Sequence, residues 1–149
     1  MKYALLSASV FSLDWLIKNR IEQDGKEGEE KKICSGMLLL RKYHNKGAFL
    51  NAGEKKSKFV AVLSVLLTLG LTVLFLVTFT MKGNSLLKTG LSLLLGGAYS
   101  NTYDRLRRKY VVDYVSFPVK NKAIRRIVFN LSDFCIMIGA LCMVIGSLK

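Results

Sequence analysis

Asp113 and Asp133 are the residues of this chain best suited to acid–base chemistry. Each stands where a basic, polar stretch gives way to apolar sequence, in a chain of 149 residues with only ten acids. A carboxylate beside hydrocarbon loses hydration, so its neutral form gains ground and its pKa rises unless a partner opposes this. Two such carboxylates facing each other would share one proton. A pair in that state can hold a water, take a proton from it with one carboxylate and hand a proton to a leaving group with the other. No Ser–Lys or Cys–His arrangement competes for the role of nucleophile. His44, the single histidine, has no second ligand at metal spacing and is expected at the surface. Neither a metal nor an organic cofactor is expected.

The elements that must position these carboxylates follow from the segregation of charge. The chain is 51% hydrophobic yet carries 23 Lys and Arg against ten acids, a formal charge of +13, at a mean hydropathy of +0.31. Phe59 to Met81 contains no charged residue, and a bilayer core of about 30 Å needs roughly 20 such residues as a helix. Residues 127–148 carry one charge, Asp133, and residues 83–103 one, Lys88, close enough to an end to snorkel. A shorter first span covers 3–18. Its apolar run ends in Asp14, Trp15, Leu16, Ile17 and Lys18 rather than in a small-x-small cleavage site, so it is expected to be retained. Asp14 and Lys18, four apart, share a helix face and predict an ion pair that closes the helix at the membrane border.

The expected fold class is an all-α membrane protein: a single domain over 1–149, with four transmembrane helices and a small extracytoplasmic β-sheet. Residues 19–58 form the surface subdomain. Its charged first half (QDGKEGEEKK) is predicted to be a loop, and Met37–Tyr43 with Ala48–Leu50 two strands around a turn at Asn45–Gly47. Residues 104–126 carry eight basic side chains, including Arg107, Arg108 and Lys109. Bracketed by spans and without a groove-reading motif, they point to anionic lipid headgroups, and nucleic acid is not an expected partner. Cys135 and Cys142 are seven apart, roughly 10 Å along a helix, too far for a disulfide. With Gly139 and Gly146 they predict a small-residue stripe for close helix packing, and Ser92 and Gly96 predict the same for the third span. Cys34 lies in the surface subdomain.

The polar residues near the predicted membrane borders form an ordered set: D-W-L-I-K (14–18), N-K-G-A-F (45–49), G-G-A-Y-S-N-T-Y-D-R (96–105), V-V-D-Y (111–114) and F-N-L-S-D (129–133). In order and register this set resembles lipoprotein signal peptidase, signal peptidase II, from Asp14 to the end of the chain. The resemblance implies a four-helix membrane bundle with a small extracytoplasmic sheet. It also implies a membrane aspartic endopeptidase that removes signal peptides from bacterial prolipoproteins, cutting before a cysteine modified with diacylglycerol. Asp113 and Asp133 match the family's catalytic aspartates. Asn45, Asn101, Arg105 and Asn130 match residues that bind or orient substrate, while Asp14, Lys18 and Asp104 are assigned structural support, Asp104 locking the geometry of Arg105. Three positions depart from the family pattern: one alanine, Ala48, where two are usual, Ser100 for a glycine and Ser132 for an alanine. These departures bear on substrate fit and efficiency.

Charge bias and resemblance disagree on orientation. Lys2, Lys82, Lys88 and Lys149 lie on one side, and the other nineteen basic residues accompany the aspartates, which by the positive-inside rule would face the cytoplasm. The resemblance places the aspartates at the outer face of the bacterial cytoplasmic membrane, and five ordered motifs outweigh a statistical rule. The expected partners are a diacylglyceryl prolipoprotein and membrane lipid, and the expected state is a monomer. Two other functions fit the composition: a catalytically weakened paralogue that binds lipidated peptides or anionic lipid, and a small proton-relaying transporter subunit. The transporter would need acids deep within spans, whereas Asp113 and Asp133 lie near their ends.

Overall fold

The computed structural model describes residues 1–26, 28–47, 56–80 and 82–148. The chain is mostly helical with one small antiparallel sheet. Its order is α1 (Lys2–Asp24), β1 (Glu30–Ile33), β2 (Leu38–Asn45), α2 (Ser57–Thr78), α3 (Ser85–Arg107), β3 (Val111–Ser116), α4 (Lys122–Arg125) and α5 (Leu131–Ser147). α3 is central and packs against α1, α2 and α5. The sheet caps the end of the bundle where α1 and α3 finish and α2 and α5 begin.

Small residues let the helices approach closely. A Cβ on Gly139 would stand 2.6 Å from the Gly90 carbonyl oxygen, and one on Gly96 2.5 Å from that of Ser7, so any side chain there would force the backbones apart. The stripe expected on α5 is therefore a packing surface against α3, and the one expected on α3 at Gly96 packs against α1. Phe75, Leu91 and Leu95 form the buried apolar centre, with Tyr3, Leu71, Leu87 and Met143 around it. Outward, α2 exposes Leu66, Leu69, Val73, Leu76 and Val77. Among the described residues α2 alone is long and apolar enough to cross a bilayer, with 22 residues and a mean hydropathy of 2.8 in its most apolar window; α5 is shorter. α1 and α3 fall below that mark because each turns charged or amide side chains inward, among them Asp14 and Lys18 on α1 and Asn101 and Asp104 on α3.

The sheet differs from the predicted hairpin. Glu30 to Lys32, expected in a loop, form the edge strand β1, which pairs with β2 from Glu30↔Arg41 to Ile33↔Leu38. A Glu30–Arg41 ion pair of 3.0 Å reinforces that register, and the lysines on β1 suit an exposed edge. The tight connection is at Cys34–Gly36, where Cys34, Ser35 and Gly36 all have positive φ. The second partner of β2 is β3, contributed by the loop after α3, with Tyr43↔Asp113 and Asn45↔Val111 in register and a bulge between Leu40 and Tyr43. Ala48–Leu50 lies outside the described residues. Val115 pairs with Phe129 just before α5, and that contact brings Asp113 on the strand beside Asp133 on the helix.

Candidate active site

Three asparagines hold the two aspartates, and the orientation of each amide follows from its other bond. The Asn45 Oδ1 accepts from the Gly47 N–H at 3.1 Å, so its Nδ2 faces Asp113 Oδ2, also at 3.1 Å. The Asn130 Oδ1 accepts from the Asp133 N–H at 2.9 Å, so its Nδ2 donates to Asp113 Oδ1 at 2.7 Å. The Asn101 Oδ1 accepts from the Lys18 ammonium at 2.8 Å, and its Nδ2 donates to Asp133 Oδ1 at 3.0 Å. A carboxylate opposite each NH2 group, and a donor opposite each amide oxygen, leave no alternative flip. Asn130 precedes the helix that carries Asp133. It is the N-cap of α5 in extended conformation, and Asp133 returns the bond by accepting from the Asn130 N–H at 3.1 Å, a reciprocal capping box.

Asp113 is 2% exposed. Its carboxyl is pushed up to about 7, first by burial and then by the charge of Asp133, against hydrogen bonds from Asn45 and Asn130 and the more distant charge of Lys18.

Beneath the aspartates lies a second polar layer. Lys18 is 2.7 Å from Asp14 and 3.2 Å from Asp104, and all three side chains are essentially inaccessible. The expected Asp14–Lys18 pair forms, yet it does not end the helix, since α1 continues to Asp24. Lys18 instead reaches into the bundle, where Ser100 and Asn101 on α3 accept from it. Asp104 does not pair with Arg105; its partners are Lys18, Arg108 at 3.0 Å and the Val112 N–H at 3.2 Å, so it anchors the start of β3. Arg105 extends to the Asn101 and Gly47 carbonyls at 3.4 and 3.3 Å, and its Nε is buried without a hydrogen-bond partner among the described residues.

Sequence reasoning missed Tyr114. Its hydroxyl donates to Asp14 at 2.9 Å and accepts from the Leu131 N–H at 2.9 Å, tying α1, β3 and α5 together. Its place beside Asp113 in V-V-D-Y was the available signal. Ser100 and Ser132, expected to bear on substrate fit, instead donate to Asp14 at 2.6 and 2.5 Å, and neither lines the cavity described below. His44 is not a free surface residue. It is half-buried, 2.6 Å from Glu22, and stacked on Tyr110.

Asp113 and Asp133 open onto a cavity of about 740 Å3, which Asn45, Asn101 and Arg105 also line. Its bundle side is mostly apolar, with Leu67, Leu71, Leu94, Ala98 and Ile136 beside the hydroxyls of Ser64, Thr68 and Thr102, and its sheet side carries Tyr43, Val111 and Arg126. Among the described residues no group of three His, Cys, Asp or Glu side chains could hold a metal ion.

A family model for signal peptidase II matches residues 6–149. The chain belongs to the signal peptidase II family. It is therefore a peptidase of a membrane-enzyme family. It is 31% identical to the lipoprotein signal peptidase of Lactiplantibacillus plantarum, over 99% of this chain and 94% of that one. It is 34% identical to that of Caldicellulosiruptor bescii, over 100% and 92%. In fold it is similar to a bacterial membrane enzyme determined by the in meso method at 2.3 Å, with a TM-score of 0.83, 23% identity and coverage of 99% of this chain and 88% of that one.

Proposed function

We propose that this signal peptidase II cleaves diacylglyceryl-modified prolipoproteins with an Asp113–Asp133 dyad. The observation that carries this is the amide-locked pair of aspartates in the wall of a cavity whose bundle side is rich in aliphatic side chains. One charged carboxylate takes a proton from a water, whose oxygen attacks the scissile carbonyl carbon. The neutral carboxylate protonates the departing amide nitrogen as the C–N bond breaks. Asp113, pushed up to about 7, is placed to carry the resting proton of the pair. The pair titrates as a unit. Arg105, which lines the cavity, holds a substrate carbonyl or ester oxygen; Asn45, Asn101 and Asn130 orient the carboxylates; Asp14, Lys18 and Asp104 support them.

In this reading the helices cross the membrane over about 3–18, 59–81, 83–103 and 127–148, with the 19–58 subdomain and the 104–126 loop at the extracytoplasmic face. α1 and α3 fall short of the required apolarity as whole sequences, and in this reading they cross the membrane with their buried charged and amide groups facing one another inside the bundle rather than lipid. The acyl chains of the substrate lie against Leu67, Leu71 and Ile136, and the protein acts as a monomer in contact with anionic lipid. The test is incubation of purified protein with a diacylglyceryl prolipoprotein and a gel for the mass shift. The unaltered protein cuts, whereas Asp113→Asn, Asp133→Asn and the double variant are equally inactive, as expected of groups that work as one. Near-normal turnover by either single variant would refute the dyad, and binding without cleavage by the unaltered protein would favour the weakened paralogue.

A further inference from the structure

A second cavity, about 340 Å3, lies on the sheet side and is lined by Gly28, Glu29, Glu30, Arg41, Lys42, Tyr43 and Arg126. Tyr43 and Arg126 line the catalytic cavity as well, so these two side chains form the threshold between the two spaces. Three cations, Arg41, Lys42 and Arg126, line this cavity against two acids, Glu29 and Glu30. Arg41 is 3.0 Å and Arg125 2.8 Å from Glu30, and Lys42 is 2.9 Å from Glu22. Arg126 is exposed, and among the described residues no ion pair engages it.

A substrate lying across the dyad has two unlike ends. The signal peptide before the cut is apolar and stays against the bundle, whereas the polar chain after the cut must leave on the sheet side, over Tyr43 and Arg126. We propose that the sheet-side cavity is a subsite for the first residues of the mature lipoprotein after its modified cysteine, and that Arg126 makes it prefer acidic side chains there. An extended chain advances about 3.3 Å per residue, so a rim side chain reads positions two or three residues beyond the scissile bond. This rests on the peptidase reading of the main cavity and adds to it a substrate preference set by a residue outside the dyad.

The experiment uses the full chain in detergent or lipid and three diacylglyceryl prolipoproteins differing only at the second and third mature residues, which are Asp-Asp, Ser-Ser or Lys-Lys. For an exposed charge contact the expected preference of Asp over Lys in kcat/KM is about three- to fivefold, shrinking as salt is added. Arg126→Gln levels the three substrates and Arg126→Glu reverses their order. Lys109→Gln, which removes an exposed charge outside both cavities, leaves the order unchanged. A preference that survives Arg126→Glu, or one that Lys109→Gln abolishes equally, overturns the subsite while leaving the dyad standing. If the unaltered enzyme cuts none of the three, the cleavage reading itself falls.

Discussion

The raised pKa of Asp113 predicts a measurable link between pH and stability. In the unfolded chain its carboxyl titrates at the ordinary 3.8, and in the folded protein at about 7. Because the folded state binds the proton more tightly, the contribution of this group to stability is fully present below pH 3.8 and is lost as pH rises through 7. Between pH 5 and pH 7 the unfolded carboxyl is already ionised while the folded one keeps its proton until the pH nears 7, so the contribution falls by roughly 2 kcal/mol over the interval. The group is 2% exposed, so solvent screening does not reduce this greatly. Asp113→Asn removes the titration. It also sets an NH2 group against the donors of Asn45 or Asn130, at a cost of about 1–3 kcal/mol that does not vary with pH. The assay is therefore the difference between the two proteins across pH, followed by thermal unfolding in detergent at pH 5 and pH 8. Asp113→Asn gains roughly 2–3 kcal/mol on the unaltered protein between these pH values, a relative rise in Tm of roughly 5–10 °C. A gap between the two proteins that stays constant to within about 0.5 kcal/mol across that range would refute the assignment of a buried, proton-holding Asp113.

Three further outcomes are expected. Gly90→Ala puts a Cβ 2.7 Å from the Gly139 carbonyl oxygen and 2.8 Å from the Met143 nitrogen, parting α3 from α5 at a cost of about 1–3 kcal/mol, whereas a Cβ at Gly70 meets nothing within 4 Å and Gly70→Ala should hold or gain stability; thermal unfolding of both variants checks this. Lys18→Met leaves Asp14 and Asp104 facing a lost cation and destabilises by about 3–5 kcal/mol, while Asp14→Asn with Lys18→Met costs less than Lys18→Met alone, a double-mutant comparison read in denaturation. Cys34, exposed on the sheet turn, should react with a membrane-impermeant maleimide added outside spheroplasts; reaction only after lysis would reverse the proposed orientation.

What could be read from the sequence depended on how local its cause was. The α2 helix was legible because 23 uncharged residues allow little else, and the packing stripes on α3 and α5 because small residues recur at helical spacing. The sheet was legible in existence and wrong in connectivity. Antiparallel pairing through Arg41–Glu30 and Tyr43–Asp113 joins residues far apart in the chain, and the third strand came from a loop with no strand-like alternation, since β3 is buried on both faces. At the candidate site the family resemblance singles out Asn130 but not its place, because periodicity cannot distinguish an N-cap from the first turn. Asp104 was assigned to Arg105 by adjacency, whereas burial gave it to Lys18, which no local pattern connects to it. Ser100 and Ser132 read as losses against a family pattern; in three dimensions they are two hydroxyls added to one buried carboxylate.

The charges that meet at this end of the bundle give a reason for the single proton that the proposed dyad requires. Asp14, Asp104, Asp113 and Asp133 are the acids; Lys18 bonds two of them, Arg108 pairs with Asp104, and the charge of Arg105 faces Asp113, Asp133 and Asp104. With both dyad carboxylates ionised, these four acids oppose three cations, leaving one negative charge uncompensated where water is scarce and its cost is high. With both protonated, one positive charge is left over. One shared proton balances the set, and it is also the state in which one carboxylate can accept from water while the other donates. The lower layer of Lys18, Asp14 and Asp104 is thus more than a brace: its net charge of minus one, set against Arg105 and Arg108, fixes how many protons the upper pair must hold. An Asp104→Asn variant removes one negative charge from that layer without touching the cavity. It should therefore favour ionisation of the dyad and move the acid limb of the cleavage profile to lower pH, whereas a purely mechanical role for Asp104 would lower activity evenly at every pH.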